Sequence, residues 1–91
     1  KGSIPAITRT LAVELAARNP AVRANCILPG PVLAPDSIPP DELRSIADAT
    51  LVKKLGRPEH VASAALFLIE NDFVTGVSLP VDGGRTIAGG C

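Results

Sequence analysis

Aromatic side chains are scarce in this sequence, which has two Phe and no Trp or Tyr among its 91 residues. It also has no excess of charge, because nine basic and nine acidic residues give a formal net charge of zero. Proteins that bind nucleic acid usually combine a basic surface with aromatic rings on which bases stack. The composition therefore argues against a nucleic-acid partner.

Long apolar runs and paired cysteines are missing as well. No apolar run approaches the ~20 residues that span a membrane, so we expect no membrane association and no secretory leader. Cys26 and Cys91 form neither a disulfide framework nor a Cys-x-x-Cys pair for zinc or redox chemistry. We expect no metal site, and we expect a reduced protein of the cytoplasm.

The residues that are present favour a folded chain. Hydrophobic residues make up 46% of the sequence, which together with zero net charge argues against disorder despite nine Pro and eight Gly. A chain of this length forms one domain at most.

The first half of the chain predicts a helix followed by a strand. Apolar residues recur at spacings of three and four over 4–17, so we expect a helix whose apolar face is Ile4, Ile7, Leu11 and Leu15. The pair Asn19-Pro20 ends it, because a residue before Pro avoids helical angles. Residues 22–28 predict a strand that is buried towards its end, as parallel strands usually are.

The second half predicts a loop, two helices and a strand. Five Pro between residues 29 and 40 indicate a stiff, irregular loop. A short helix is expected from Asp41 to about Val52, with the apolar face Leu43, Ile46, Ala47 and Leu51. A largely buried helix is expected over 58–70, with the apolar set Val61, Ala65, Leu66, Phe67, Leu68 and Ile69. Alternation over 77–81 predicts the second strand.

These elements belong to the α/β class, but they do not make a complete architecture. Two strands separated by two helices cannot cover a sheet on both faces, and an isolated strand pair is marginally stable in water. We therefore expect residues 1–91 to form a single partial domain at the end of a larger α/β sheet.

Few single residues indicate chemistry. His60, near a helix start, is interpreted as exposed and structural, and Cys26 as a small, inert, buried side chain. The acidic residues Asp36, Asp41 and Glu42 are interpreted as a solvated loop and helix start. The pair Gly83-Gly84 is typical of a turn.

Four segments, taken together, are more informative. Lys1 is followed by Leu-Ala-Val-Glu-Leu at 11–15, and residues 22–32 read Val-Arg-Ala-Asn-Cys-Ile-Leu-Pro-Gly-Pro-Val. Residues 56–62 read Gly-Arg-Pro-Glu-His-Val-Ala, and residues 75–84 read Thr-Gly-Val-Ser-Leu-Pro-Val-Asp-Gly-Gly. In this order they resemble the C-terminal third of the short-chain dehydrogenase/reductase family. The corresponding family patterns are Tyr-x-x-x-Lys before Leu-Ala-x-Glu-Leu, Arg-Val-Asn-x-x-x-Pro-Gly, Gly-x-Pro-Glu-Glu-Val-Ala and Thr-Gly-x-x-x-x-Val-Asp-Gly-Gly.

The resemblance implies a fold, a cofactor and a set of site residues. The fold would be the C-terminal part of a doubly wound, Rossmann-type parallel sheet, and the cofactor NAD or NADP. Lys1 matches the catalytic Lys, which would bond the nicotinamide ribose and lower the pKa of a catalytic Tyr four positions earlier. Cofactor contacts would come from Lys1, Pro29, Gly30, Pro31, Val32 and Ala34. The family often has Thr at the position of Ala34, so one side-chain donor is missing here.

The resemblance also implies a reaction and partners. Hydride would pass between nicotinamide and a carbonyl or alcohol carbon of a small molecule, although the chain alone should be inactive without the Tyr. A homo-oligomer, dimer or tetramer, is expected. Residues 73–76 and the Pro-rich loop are also similar to pteridine reductase-like members. Two alternatives stay open, namely a non-catalytic relative that keeps the scaffold and a fragment that acts only in assembly.

Overall fold

The structure is a computed structural model that describes residues 3–32 and 38–88. This part of the chain contains four helices and two strands: α1 (Ser3–Arg18), β1 (Cys26–Pro29), α2 (Pro40–Asp48), α3 (Pro58–Glu70), β2 (Ser78–Val81) and α4 (Arg85–Ala88). The predicted order of helix, strand, helix, helix and strand is confirmed. The middle of the predicted stiff loop, residues 33–37 with Asp36 among them, lies outside the described residues. The short helix α4 was not predicted.

The two strands lie side by side and point the same way. Ile27 is opposite Leu79, and Pro29 is opposite Val81, in a parallel register. The α/β class and the parallel sheet predicted from the sequence are therefore confirmed.

Both strands are shorter than the predicted ranges because side chains hold the segments that lead into them. The Asn25 amide donates to Val74 O at 3.1 Å and accepts from Val77 N–H at 3.0 Å. The Ala24 N–H donates to the Thr75 hydroxyl oxygen at 3.1 Å. Side-chain bonds thus replace part of the regular ladder ahead of β1 and β2.

Arg23 connects the approach to β1 with the end of α3. Its guanidinium donates to the carbonyl oxygens of Leu68 at 2.8 Å, Ile69 at 3.0 Å and Val74 at 3.0 Å. The last carbonyls of a helix have no partner within the helix, so this cation satisfies groups that would otherwise need water. The contact fixes where α3 ends relative to the sheet.

Helix α1 presents a different face to the rest of the chain from the one predicted. Thr8 and Ala12 are buried, whereas Ile4, Ile7 and Leu11 are 49%, 55% and 43% exposed. The prediction that Ile4, Ile7 and Leu11 face the interior is therefore wrong. Small side chains allow closer approach, and a Cβ placed on Gly76 would lie only 3.5 Å from the Ala12 Cβ.

The prediction that the helix over 58–70 is largely buried is also wrong. Leu68 is buried, but Leu66, Phe67 and Ile69 are 53%, 51% and 68% exposed. Within the described residues α3 packs mainly on β1 and β2, and two strands cover only one stripe of a helix. By contrast, α2 half-buries its predicted apolar residues Leu43, Ile46 and Ala47. The predicted extension of this helix to about Val52 is wrong, because α2 ends at Asp48 and Leu51 lies beyond it with 55% of its surface exposed. Across the described ranges, no helix is both long and apolar enough to cross a membrane.

Candidate functional site

Three loops meet at one edge of the sheet. Because β1 and β2 are parallel, the chain leaves both strands at the same edge of the sheet, at Gly30 after β1 and at Asp82 after β2. The α2–α3 loop, residues 49–57, passes the same edge. In open α/β sheets, ligands bind outside the carboxyl ends of the strands. This edge is therefore the expected position of a ligand-binding site.

Gly30 allows the two strand ends to approach each other. Its N–H donates to Val81 O at 3.0 Å. A Cβ on Gly30 would lie 2.6 Å from the Asp82 Cβ and 2.7 Å from the Asp82 Cα, closer than real Cβ atoms come. This close approach gives Gly30 a role in the packing of the strand ends, in addition to the cofactor contact predicted for it. Its contact with a cofactor stays a prediction.

The α2–α3 loop is attached to both strand ends through its backbone. Gly83 O accepts hydrogen bonds from Leu51 N–H at 2.8 Å and from Val52 N–H at 3.3 Å. At the other end of the loop, Gly56 N–H donates to Pro31 O at 2.9 Å. These bonds hold the loop as one wall of the site.

Thr50 organises that loop, a role that no motif in the sequence predicted. The residue is 2% exposed, and its hydroxyl donates to Ala47 O at 2.8 Å while accepting from Lys54 N–H at 3.3 Å. A buried hydroxyl needs such partners because an unsatisfied one is costly to desolvate. The available signal was a single polar residue between Ala49 and Leu51, within the stretch over which the predicted amphipathic helix was expected to continue.

The turn after β2 depends on its glycines. Gly83 and Gly84 have φ angles of 61° and 83°, a region that other residues rarely adopt. A Cβ on Gly83 would lie 2.8 Å from Val52 Cγ2, and one on Gly84 would lie 2.6 Å from Leu51 Cδ1. The turn interpretation of this pair is therefore supported, and the turn packs directly on the α2–α3 loop.

Asp82 is engaged within its own turn. One carboxylate oxygen accepts from Gly84 N–H at 3.0 Å, and the other accepts from the Thr86 hydroxyl at 2.6 Å and the Thr86 N–H at 3.1 Å. The Thr86 hydroxyl bond is the main cause that lowers the pKa of the Asp82 carboxyl below its usual value. Asp82 is thus held ionised, which suits it to starting α4 and not to acid–base exchange near neutral pH.

A cavity of about 310 Å³ opens at this edge. Pro31 and Val32 line it after β1, Val52 and Lys54 line it from the α2–α3 loop, and further lining comes from Val81, Asp82, His60 and Ser63. Its walls combine apolar side chains with a few polar groups, as small-molecule sites generally do.

The predicted cofactor residues are partly gathered at this cavity. Pro31 and Val32 line it, and Pro29 and Gly30 lead into it as the last residue of β1 and the one after it. The predicted catalytic residue Lys1 and the predicted contact Ala34 lie outside the described residues.

His60 lies at the cavity and caps α3. Its Nδ1 accepts the Arg57 N–H at 2.9 Å, so the structural role expected from the sequence is supported. The residue is half-buried and lines the cavity, so the expectation of an exposed position is wrong. The reason is that the first turn of α3 follows directly on Gly56, which is bonded to the loop after β1.

Cys26 is half-buried and hydrogen-bonded, whereas the sequence predicted an inert buried side chain. Its Sγ donates to the Ser78 hydroxyl oxygen across the strand pair at 3.1 Å. That bond, with a smaller contribution from Thr8, lowers the pKa of the Cys26 thiol. Cys26 begins β1, at the opposite end of the strand from the cavity.

Comparison with known proteins gives consistent matches along the chain. A family model described as Enoyl-(acyl carrier protein) reductase matches residues 1–86. Glucose 1-dehydrogenase of Gluconobacter oxydans is 34% identical over 98% of this chain and 35% of its own length.

Solved structures agree with this match. A short chain dehydrogenase from Bacillus anthracis superposes with a TM-score of 0.74 at 30% identity, covering 94% of this chain and 33% of that one. A small-chain dehydrogenase in complex with NADPH superposes with a TM-score of 0.74 at 33% identity, covering 94% and 40%. The chain thus spans between a third and two fifths of the length of these proteins.

Proposed function

The chain belongs to the short-chain dehydrogenase/reductase family, and we propose that the complete product of its gene is an NAD(P)-dependent oxidoreductase. The substrate would be a carbonyl or alcohol compound of small size. The main support is the match over residues 1–86, together with a cavity at the carboxyl edge of the parallel strands. The similar structure with bound NADPH supports the same cofactor class.

The residues at the cavity fit the nicotinamide end of such a cofactor. When bound, the cofactor supplies the carbon that accepts or gives up hydride. Pro31 has no N–H, and its carbonyl is occupied by Gly56 N–H at 2.9 Å. Val32 is therefore the residue of this pair that we assign to the nicotinamide carboxamide, through its backbone groups.

The walls of the cavity would also keep water from the reacting atoms. Val32, Val52 and Val81 line it with apolar side chains, and the α2–α3 loop that carries Val52 is bonded to both strand ends. Exclusion of water protects a hydride-transfer site from side reactions. In this proposal the chain binds, orients and encloses the cofactor.

Lys1 is the residue to which we assign a catalytic role, on the basis of the motif match. Its ammonium group would bond the nicotinamide ribose and favour the phenolate form of a catalytic Tyr. Lys1→Ala in the complete gene product should then lower kcat by about 10²–10⁴, the usual contribution of a positioned acid–base group. Lys53→Ala is a matched control, since Lys53 is exposed.

The test of the proposal is a titration of the complete gene product with NADH and NADPH, followed by the fluorescence of the reduced nicotinamide. Saturable binding of either cofactor, and oxidation of it by a panel of carbonyl compounds, is the expected result. Binding of neither would refute the proposal. Binding without turnover would favour the non-catalytic relative. The 91-residue chain alone should show no turnover.

Exposed apolar faces favour a second role, self-association. Four large apolar residues of α1 are 43–71% exposed, and Phe73 is 97% exposed. Apolar patches of this kind seldom stay in water, so we propose a homo-oligomer. Sedimentation should show that Ile7→Glu weakens association, whereas Ser45→Glu, at an exposed position of α2, gives the matched charge control. Equal sedimentation of both variants and the unaltered chain would count against α1 as the interface.

The cytoplasm is the compartment that we propose. Two cysteines do not make a disulfide framework, and such frameworks are typical of oxidising compartments. Fractionation of cells that express the complete gene product, with detection in the cytosolic fraction, is the corresponding test.

A further inference from the structure

His60 occupies a position at which the family pattern has a second Glu, in Gly-x-Pro-Glu-Glu-Val-Ala. The side chain of this residue accepts the backbone N–H of Arg57, with 2.9 Å between N and Nδ1. Arg57 is the N-cap of α3 and has an extended backbone conformation, with φ of −127° and ψ of 158°. A carboxylate can accept this N–H over almost the whole pH range, whereas imidazole can accept it only in its neutral form.

Protonation of the imidazole would change two things at once. A hydrogen on Nδ1 removes the lone pair that accepts the Arg57 N–H. It also places a positive charge at the N-terminus of a 13-residue helix, the end where the helix dipole disfavours cations. Both effects destabilise the first turn of α3.

This turn is connected to the loop that we assign to nicotinamide. Gly56, the residue before Arg57, donates its N–H to Pro31 O at 2.9 Å. His60, Gly56, Pro31 and Val32 line the same cavity. A change at the start of α3 therefore acts on the cavity wall through a single backbone bond.

We propose that His60 is a pH-sensitive cap, whose protonation releases the start of α3 and loosens the loop at Pro31 and Val32. The part that concerns cofactor binding rests on the proposed function. The release of the helix start does not.

Charged groups of both signs surround this position in the described part of the chain. Lys54 from the α2–α3 loop and Asp82 from the end of β2 line the same cavity. Arg57 and Glu59 precede His60 on its own segment, and they form an exposed ion pair with 3.8 Å between Nε and Oε1. The loop after β1 contributes Pro31 and Val32, which do not titrate.

The test compares hydrogen exchange, read by mass spectrometry, of the peptide over 56–60 at about pH 7.5 and 5.5, the range in which imidazole titrates. His60→Gln is the reference, because its side-chain oxygen accepts a hydrogen bond at both pH values. The complete gene product should match this variant at the higher pH. At the lower pH this peptide should exchange about fivefold faster in the unaltered protein than in His60→Gln, which corresponds to the loss of one N-cap hydrogen bond. His60→Ala should open more at both.

If the exchange rate of this peptide in the unaltered protein, divided by the rate in His60→Gln, is the same at both pH values, the proposal is overturned. Glu59→Gln is the control for the neighbouring ion pair and should keep the pH response. The cofactor arm measures the Kd for reduced nicotinamide in the same two proteins. This Kd should increase at low pH more in the unaltered protein than in His60→Gln. An equal increase of the Kd in both proteins would refute the connection between His60 and the loop at Pro31 and Val32. No binding of either cofactor in either protein would count against the proposed function and leave the exchange result to decide on the cap.

Discussion

Replacing Gly30 by Ala should separate the carboxyl ends of the two strands. The added Cβ would lie 2.6 Å from the Asp82 Cβ, 2.7 Å from its Cα and 3.2 Å from its carbonyl oxygen. These are backbone or near-backbone atoms, so no flexible side chain can move away. The strands must shift by about 1 Å to reach ordinary contact distance, and the bond from Gly30 N–H to Val81 O is strained by that shift.

The expected magnitude follows from two opposing effects. Overpacking costs about 1–3 kcal/mol, whereas replacing Gly reduces the entropy of the unfolded chain and stabilises by about 0.4–1 kcal/mol. We therefore expect a net loss of about 1–2 kcal/mol in the free energy of unfolding. Urea titration of the complete gene product, followed by circular dichroism, measures this loss.

Gly56→Ala is the matched control for Gly30→Ala. A Cβ at Gly56 would meet Pro31 O and Val32 atoms at 3.6 Å, which is ordinary contact, and Gly56 does not have a positive φ. We expect this variant to be as stable as the unaltered protein or more stable by up to about 1 kcal/mol. The reasoning fails if Gly30→Ala is no less stable than Gly56→Ala.

Three further substitutions test the contacts around the site. Thr50→Val should lower the free energy of unfolding by about 0.5–1.5 kcal/mol, because it removes the hydrogen bonds of the hydroxyl to Ala47 O and Lys54 N–H. The exposed Thr10→Val should change the free energy of unfolding by less than about 0.5 kcal/mol, and equal effects of the two substitutions would contradict the role of Thr50. Arg23→Ala should destabilise the protein, because it removes three hydrogen bonds to carbonyl oxygens. Arg23→Lys should regain little of the lost stability, because one ammonium group cannot reproduce the forked geometry of a guanidinium, and a Lys variant as stable as the unaltered protein would contradict this account. The pKa of the Asp82 carboxyl is lower in the folded protein than its usual 3.8, so the stability that Asp82 contributes is present above pH 3.8 and is lost as the pH falls through the pKa of the folded state. Acid titration should show this loss of stability, and Asp82→Asn should not show it.

Much of the secondary structure was predictable from local patterns. The helix over 58–70 was placed with its observed bounds, because Pro58 at the first helical position and the apolar run after it are strong signals. The predicted strands were longer than the observed ones. Arg23 and Asn25 look like strand residues, but their side chains bond to α3 and to the turn before β2, and the Ala24 N–H bonds to the Thr75 side chain.

The candidate site was predictable where a motif marked it and not elsewhere. Pro31 and Val32 were expected at the carboxyl edge, and they line the cavity there. Thr50 was not expected, because it is buried against the turn at Gly83, where a Cβ would lie 3.3 Å from the Thr50 Cβ, and Gly83 is far along the chain from Thr50. Local sequence patterns do not report contacts of that separation.

The sequence by itself determined the order of the elements, the parallel direction of the strands and the family, since these follow from local periodicity and from four short motifs. Tertiary structure alone decided which side of α1 turns inward. Hydrophobicity marks Ile4 and Ile7 as strongly as any core residue, yet Thr8 and Ala12 are buried in their place. Their small size allows a helix to approach the sheet closely, and fit of this kind depends on what lies opposite, which a sequence of apolar and polar residues does not encode.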